Sequence, residues 1–258
     1  MKHLSPRTLE QIPDRPIKGD DSFSFRCHAA LGCFTQCCRN LNLFLYPYDM
    51  LRLRTSLAIS SDAFIDRYVD VVLREDRHFP EVLLRMSEDD QRSCIFLAPN
   101  GCSVYADRPH TCRTFPLEQG VLYNADDGTP VAFFRPPDFC LGRHEDRPWT
   151  MQTWNQDQQA LVHHDFNLRW SDVHRLFEND PWGAEGPQGA KAKMAFMAAY
   201  NLDRFRDFVF NSSFLKRFRV QPELVRRLRR SDEVLLTFGY EWIRLFVWGQ
   251  PSKIIRPR

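Results

Sequence analysis

No stretch of this 258-residue chain holds the roughly 18 to 20 consecutive apolar residues that a bilayer span requires. The nearest, VLLTFGYEWIRLFVWG, is interrupted by Glu241 and Arg244, so no membrane span is expected. The opening residues, MKHLSPRTLEQIPDRPIKGDD, lack the unbroken apolar stretch of a secretory signal and carry charges and three prolines instead. They read as an extended, solvated arm over residues 1–24, and a cytoplasmic location is the expectation. A strong net charge is missing too, because 35 basic residues nearly balance 33 acidic ones. No whole-molecule field would draw the chain onto nucleic acid, and no nucleic-acid partner is expected; a protein partner or substrate is left unidentified. Nucleotide and hydrolase signatures are absent: there is no G-x-G-x-x-G, no Walker glycine-lysine loop and no G-x-S-x-G elbow, so no residue is assigned to catalysis. Internal repeats and low-complexity tracts are missing as well.

What is present divides by composition. A hydrophobic fraction of 43% is ample for a packed core, and all eight cysteines lie before residue 141. The expected fold is α+β and mostly helical: a cysteine-rich metal-binding region with small strands over residues 25–145, then a helical C-terminal region over 146–258. Pro47 opens a helix carrying Met50, Leu51, Leu53 and Leu57, with Ser60 and Ser61 supplying a break and a cap. Phe64, Ile65, Tyr68, Val69 and Val72 follow at helical spacing. Short apolar runs at 82–86, 94–97 and 131–135 predict strands, and Asp126-Asp127-Gly128 predicts the turn of a hairpin with arms at 121–125 and 131–134. Farther on, Thr150 is expected to cap a helix running toward His164, and Ser171 to open another turn through Phe177. A long helix is expected over 191–210, and Ser231 should begin a last helix ended by Gly249 and Pro251.

The cysteines carry the chemistry. Cys27, Cys33, Cys37 and Cys38 form one group, spaced C-x5-C-x3-CC; Cys94, Cys102 and Cys112 form a second, and Cys140 follows the hairpin. In a reducing compartment such density points to metal rather than disulfides, and soft thiolates select zinc, copper(I) or iron-sulfur chemistry. Tetrahedral zinc takes four thiolates and a [4Fe-4S] cluster takes four as well, so eight sulfurs satisfy either twice. Neighbours such as Cys37 and Cys38 aim in different directions, which sends one of them to a different centre or to a reserve role. Neither the C-x2-C zinc ribbon nor the ferredoxin C-x2-C-x2-C-x3-C run is present.

The segment Gly32-Cys33-Phe34-Thr35-Gln36-Cys37-Cys38, the pairs Tyr48-Asp49 and Arg52-Leu53, and the run from Cys94 through Gly101-Cys102-Ser103-Val104-Tyr105, Arg108-Pro109 and Cys112-Arg113-Thr114-Phe115-Pro116-Leu117 together resemble the YkgJ or CxxCxxCC family. The resemblance covers roughly residues 25–142 and implies a zinc- or iron-chelating domain. The flagellin lysine-N-methylase is a relative with iron-sulfur-dependent methylation, so S-adenosylmethionine enters as a cofactor by analogy alone. The family's C-x2-C-x2-CC spacing is stretched here. Cys33, Cys37, Cys38, Cys94, Cys102, Cys112 and Cys140 fall on its cysteine positions, and Cys27 falls off them.

Arg108 and Arg113 bracket Cys112, where cations would favour thiolates and offset cluster charge, and they are the expected cofactor-binding residues. Tyr105 reads as a packing residue and His28 as a surface residue. His163 and His164 read as polar helix surface, because adjacent histidines do not share a helix face. The run Arg226, Arg227, Arg229 and Arg230 reads as a solvated face, and the phenylalanines from 196 to 218 read as core.

Overall fold

The computed structural model describes residues 2–4, 9–12, 15–124 and 127–258. The fold is α+β and mostly helical, as expected: the described strands make one three-stranded sheet and four two-stranded pairs, and helices dominate the C-terminal half. Compactness groups the chain into two interleaved units, residues 1–44 with 84–171 and residues 45–83 with 172–258. The composition shift near 142–150 therefore does not coincide with the edge of a compact unit. Among the described residues no helix is long and apolar enough to cross a membrane.

The first unit is built around a long hairpin, Leu117–Asn124 against Asp127–Phe134, with Val121 opposite Pro130. Lys2–Leu4 adds a parallel third strand beside Leu117–Asn124. The hairpin is longer than the sequence suggested, and Asp126 of the expected turn lies outside the described residues. A second ribbon, Ser22–Ser24 with Pro148–Thr150, brings Phe23, Phe25, Trp149 and Trp154 into a cluster with Leu117 and Cys140. Phe25 and Trp154 meet edge to face at 5.7 Å between centroids. Both buried indoles find acceptors: Trp149 Nε1 donates to Phe25 O (2.8 Å) and Trp154 Nε1 to Thr114 O (3.1 Å).

The second unit is helical. Pro47–Ser56 starts with Pro47 in its first turn, and Ser60 accepts from Ala63 N–H to cap Ser61–Tyr68. That helix stops at Tyr68, and Val69–Val72 is a strand rather than a continuation, in keeping with its β-branched side chains. The expected long helix over 191–210 is two helices, Ala190–Tyr200 and Leu202–Asn211. Asn201 leaves helical geometry between them and its side chain caps the second by accepting from Arg204 N–H. Asp232–Trp248 is capped by Ser231 and closed by Gly249 in the left-handed region, as the sequence predicted. Gly239 permits a close crossing, since a Cβ there would collide with the carbonyl oxygen of Ala198. Phe205 and Phe214 of the aromatic stripe are buried, packed with Phe238 and Trp242, while Phe196, Phe208, Phe210 and Phe218 are half-buried.

Between these, the helix opened by Thr150 ends at Asp157. Gln159 takes φ 52°, and Ala160 N–H reaches back to Asn155 O (2.8 Å) to finish it. Leu161–His174 then forms a separate helix that carries Ser171 buried in its interior, where the sequence had suggested a helix start.

Candidate metal centre

Tight turns wind the first cysteine segment. Gln36 N–H donates to Cys33 O and Cys38 N–H to Thr35 O, both at 2.9 Å, with Thr35 at φ 64° leading into a single turn over Gln36–Cys38. Backbone pairing then ties this segment to the second group. Cys94 N–H donates to Cys38 O (2.8 Å), Asn40 N–H donates to Arg92 O (3.0 Å), and Arg39 bridges to Ser93. A small hairpin, Leu97–Ala98 with Gly101–Cys102, turns through Gly101 at φ 119°. It sets Cys102 opposite Leu97, whose N–H donates to Cys94 O (2.8 Å), so Cys102 returns to the neighbourhood of Cys94 and Cys38.

Cys140 arrives from the other side. Leu141 N–H donates to the Cys33 sulfur at 3.2 Å, and Arg26 N–H donates to Gly142 O at 3.1 Å. Gly142 is required for this approach, because a Cβ there would lie 2.7 Å from Arg26 O and 2.9 Å from the Phe25 ring. Cys27 is thereby held near Cys33 and Cys140. Cys112 sits in the short helix His110–Thr114 and is an electrostatic neighbour of Cys37.

All eight cysteines are free thiols; Cys140 is buried, Cys27 exposed and the others half-buried. Backbone hydrogen bonding from Phe96, from Val104, and from Gly142 and Arg143 favours the ionised forms of Cys94, Cys102 and Cys140 respectively, against burial. Burial raises the Cys27, Cys94, Cys102 and Cys140 thiols, Cys94 to about 11. Cys38 is the exception. The hydrogen bond with Cys37 and the charge of Arg39 bring it down to about 7 against burial, and the same hydrogen bond pushes Cys37 up. The cysteine segments are thus linked in pairs, Cys94 to Cys38 through the backbone and the Cys140 segment to Cys33 through Leu141 N–H. Among the described residues, however, no group of three or more Cys, His, Asp or Glu side chains is placed so that it could hold a metal ion. The thiols are of the donor type that zinc and iron-sulfur clusters take.

Both bracketing arginines are buried, and their hydrogen bonds go to the surrounding chain. Arg108 donates to Tyr105 O (2.6 Å) and Gln158 Oε1 (2.7 Å), and Arg113 to Ala106 O (2.6 Å) and Gln158 O (2.8 Å). Arg108 still acts on Cys102, whose ionised form its charge favours against the dominant effect of burial. Tyr105 is not a packing residue: it is 60% exposed, with the Arg108 guanidinium 3.9 Å from its ring centre. His28 meets Glu145 at 3.2 Å.

The histidine reading needs correction. His163 is buried, and both His163 and His164 lie against buried His110, with ring centroids 6.5 and 6.1 Å apart. They face inward because His110 approaches from a different helix, which helix-face reasoning within one segment does not see. Gln158 and Gly142 were also missed. Gln158 follows no motif, but Gly142, two residues after a ligand candidate, was a legible sign of close backbone approach.

No solved structure matches this chain. Residues 26–141 match the model of the CxxCxxCC family, described as a putative zinc- or iron-chelating domain.

Proposed function

We propose that this protein binds metal through its clustered cysteine thiolates and that the bound group is an iron-sulfur cluster, most simply [4Fe-4S]. The observation that carries the reading is the backbone linkage of the cysteine segments, with Leu141 N–H donating to the Cys33 sulfur (3.2 Å) and Cys94 N–H to Cys38 O (2.8 Å). Amides directed at sulfur favour the thiolate over the thiol, and hydrogen bonds to sulfur are among the devices that set cluster potentials. Cys33, Cys37, Cys38, Cys94, Cys102, Cys112 and Cys140 are the proposed ligands, with Cys27 as the eighth donor. When bound, an iron-sulfur cluster supplies one-electron redox chemistry.

The chain's own contribution is orientation and shelter. Cys140 packs in the cluster of Phe25, Trp149 and Trp154, which keeps water from one side of the site. Arg113 and Gln158 pin the segment that carries Cys112, and Arg108 places positive charge near Cys102. A reducing, cytoplasmic setting suits thiols held in this form.

Zinc held by the same thiolates, in a structural module that meets another macromolecule, is the competing reading. Anaerobic purification followed by metal and acid-labile sulfide analysis separates the two. A brown protein with a broad band near ~400 nm supports iron-sulfur ligation, and a colourless protein with stoichiometric zinc and no sulfide sinks it. S-adenosylmethionine enters through the family analogy only, and calorimetric titration of the metal-loaded protein is its test; no binding heat removes methyl transfer from consideration.

A further inference from the structure

We infer that the arginine-bearing helix Pro222–Arg230, together with the start of the helix that follows it, is a docking surface for an acidic peptide segment of a partner protein. The surface lies wholly within the unit of residues 45–83 and 172–258. Its helix lies beyond the 26–141 stretch, so metal binding by the thiols neither implies this surface nor depends on it.

In sequence, Glu223, Asp232 and Glu233 are the neighbours that would neutralise Arg226, Arg227, Arg229 and Arg230. The fold engages those carboxylates otherwise. Asp232 is shared by Arg54 and Arg206, Glu233 accepts from the Tyr48 hydroxyl (2.9 Å), and Glu223 pairs with Arg226. Arg227 and Arg230 are exposed and, among the described residues, neither is paired with a carboxylate. Arg229 is exposed too, with its guanidinium 4.0 Å from the centre of the Phe210 ring, a contact that steadies the cation and leaves its charge uncancelled. Leu228, fully buried, anchors the opposite face of this helix.

The arginines line two hollows. One, of about 170 Å³, is lined by Arg226, Arg227 and Arg230 with Glu223; the other, of about 450 Å³, is lined by Arg52, Arg206, Arg229 and Arg230 with Asp232 and Glu233. Arg230 and Ser231 belong to both, so the hollows adjoin and form one track. Six arginines against three acids leave the track positive in a chain whose net charge is only +2. A lone anion would fill one hollow, whereas two side by side suit a chain with successive negative groups. Every cation is an arginine, whose planar fork takes a carboxylate through two parallel hydrogen bonds. Among the described lining residues none is aromatic, which removes the stacking platform that single-stranded nucleic acid uses. Asp232 and Glu233 in the wall of the larger hollow would also repel an unbroken phosphate backbone, while peptide carboxylates can be spaced to avoid them.

The test is fluorescence anisotropy of a labelled hexaglutamate peptide titrated with the full chain as purified, with a single-stranded oligothymidylate of matched charge as competitor. The peptide should bind saturably, more weakly as salt rises, and the oligonucleotide should displace it less well than unlabelled peptide does. Arg227→Gln with Arg230→Gln should weaken binding about tenfold with metal content unchanged. Lys253→Gln with Arg256→Gln, exposed cations that line neither hollow, should leave the affinity as it was. No saturable binding by wild type up to ~1 mM overturns the docking surface and leaves thiolate ligation untouched, and this measurement needs no variant to fold. Unchanged affinity in the Arg227 and Arg230 variant, or equal loss in both variants, also overturns it, since the peptide would then be answering to total charge. Tighter binding of the oligonucleotide than of the peptide overturns the choice of partner.

Discussion

The two compact units hold themselves together by different means. The unit of residues 45–83 and 172–258 buries phenylalanines and tryptophans between capped helices, and Phe205, Leu235, Leu236 and Ile243 are fully enclosed. Two of its ion pairs, Arg54 and Arg206 with Asp232, sit at a helix start that Ser231 already caps. In the unit of residues 1–44 and 84–171, the aromatic cluster and hairpin form one firm part. The cysteine-bearing segments beside them are short turns and two-residue strands joined by single backbone hydrogen bonds. Apolar burial stabilises in proportion to area and asks for no ligand, whereas loops of this kind bury little and leave their order to whatever binds their thiols. The contrast predicts that metal removal should act on the cysteine segments and spare the helical core.

The sharpest way to break this contrast is to strip metal with a strong chelator. Where metal binding is coupled to folding the apparent contribution is of order 10 kcal/mol. The amides of Phe96, Val104 and Leu141 should lose hydrogen-exchange protection while those of Leu235 to Trp242 keep theirs; equal loss in both units would end the comparison. Next in size, Phe238→Ala should cost about 3–5 kcal/mol in chemical denaturation and leave metal content unchanged. Arg113→Ala removes charged hydrogen bonds to Ala106 O and Gln158 O and should cost about 2–3 kcal/mol, with weaker metal retention as the added readout. Ser231→Ala, which removes the cap accepting from Val234 N–H, should cost about 1 kcal/mol and leave metal content alone.

The smallest effect is one of pH. Hydrogen bonds from Arg204 and Asn201 hold the exposed Asp62 carboxyl below the usual carboxylate range. A group with a depressed folded value stabilises above its unfolded value, near 4, and loses that contribution as pH falls through the folded one. Solvent screening keeps the effect small. Asp62→Asn should therefore flatten the acid limb of the stability curve slightly in the second unit; an unchanged limb counts against the Asp62–Arg204 pairing.

Much of the fold was legible where local chemistry decides the outcome. Pro47, Thr150 and Ser231 announced helix starts and Gly249 an end, because capping is settled within a few residues. Asn201 and Gln159 were not legible as breaks: apolar periodicity runs through both, and only the backbone geometry separates the helices. For the site, the sequence supplied the sulfurs and the family resemblance supplied seven of the eight positions. It did not reveal which thiols are neighbours, because contacts such as Cys33 with Leu141 span more than a hundred residues. The inward turn of His163 and His164 escaped for the same reason, since its cause is His110 on another helix.

The interleaving of the chain has a consequence for synthesis. Leu53, Phe64 and Phe79 leave the ribosome early, but partners such as Phe177 and the helices Ala190–Tyr200 and Asp232–Trp248 are encoded about 90 residues and more downstream. At roughly 5–20 residues per second, several seconds pass in which residues 45–83 have no core to join. Every cysteine has been made by residue 140, so the nascent thiols are ready for metal while the helical core is still incomplete.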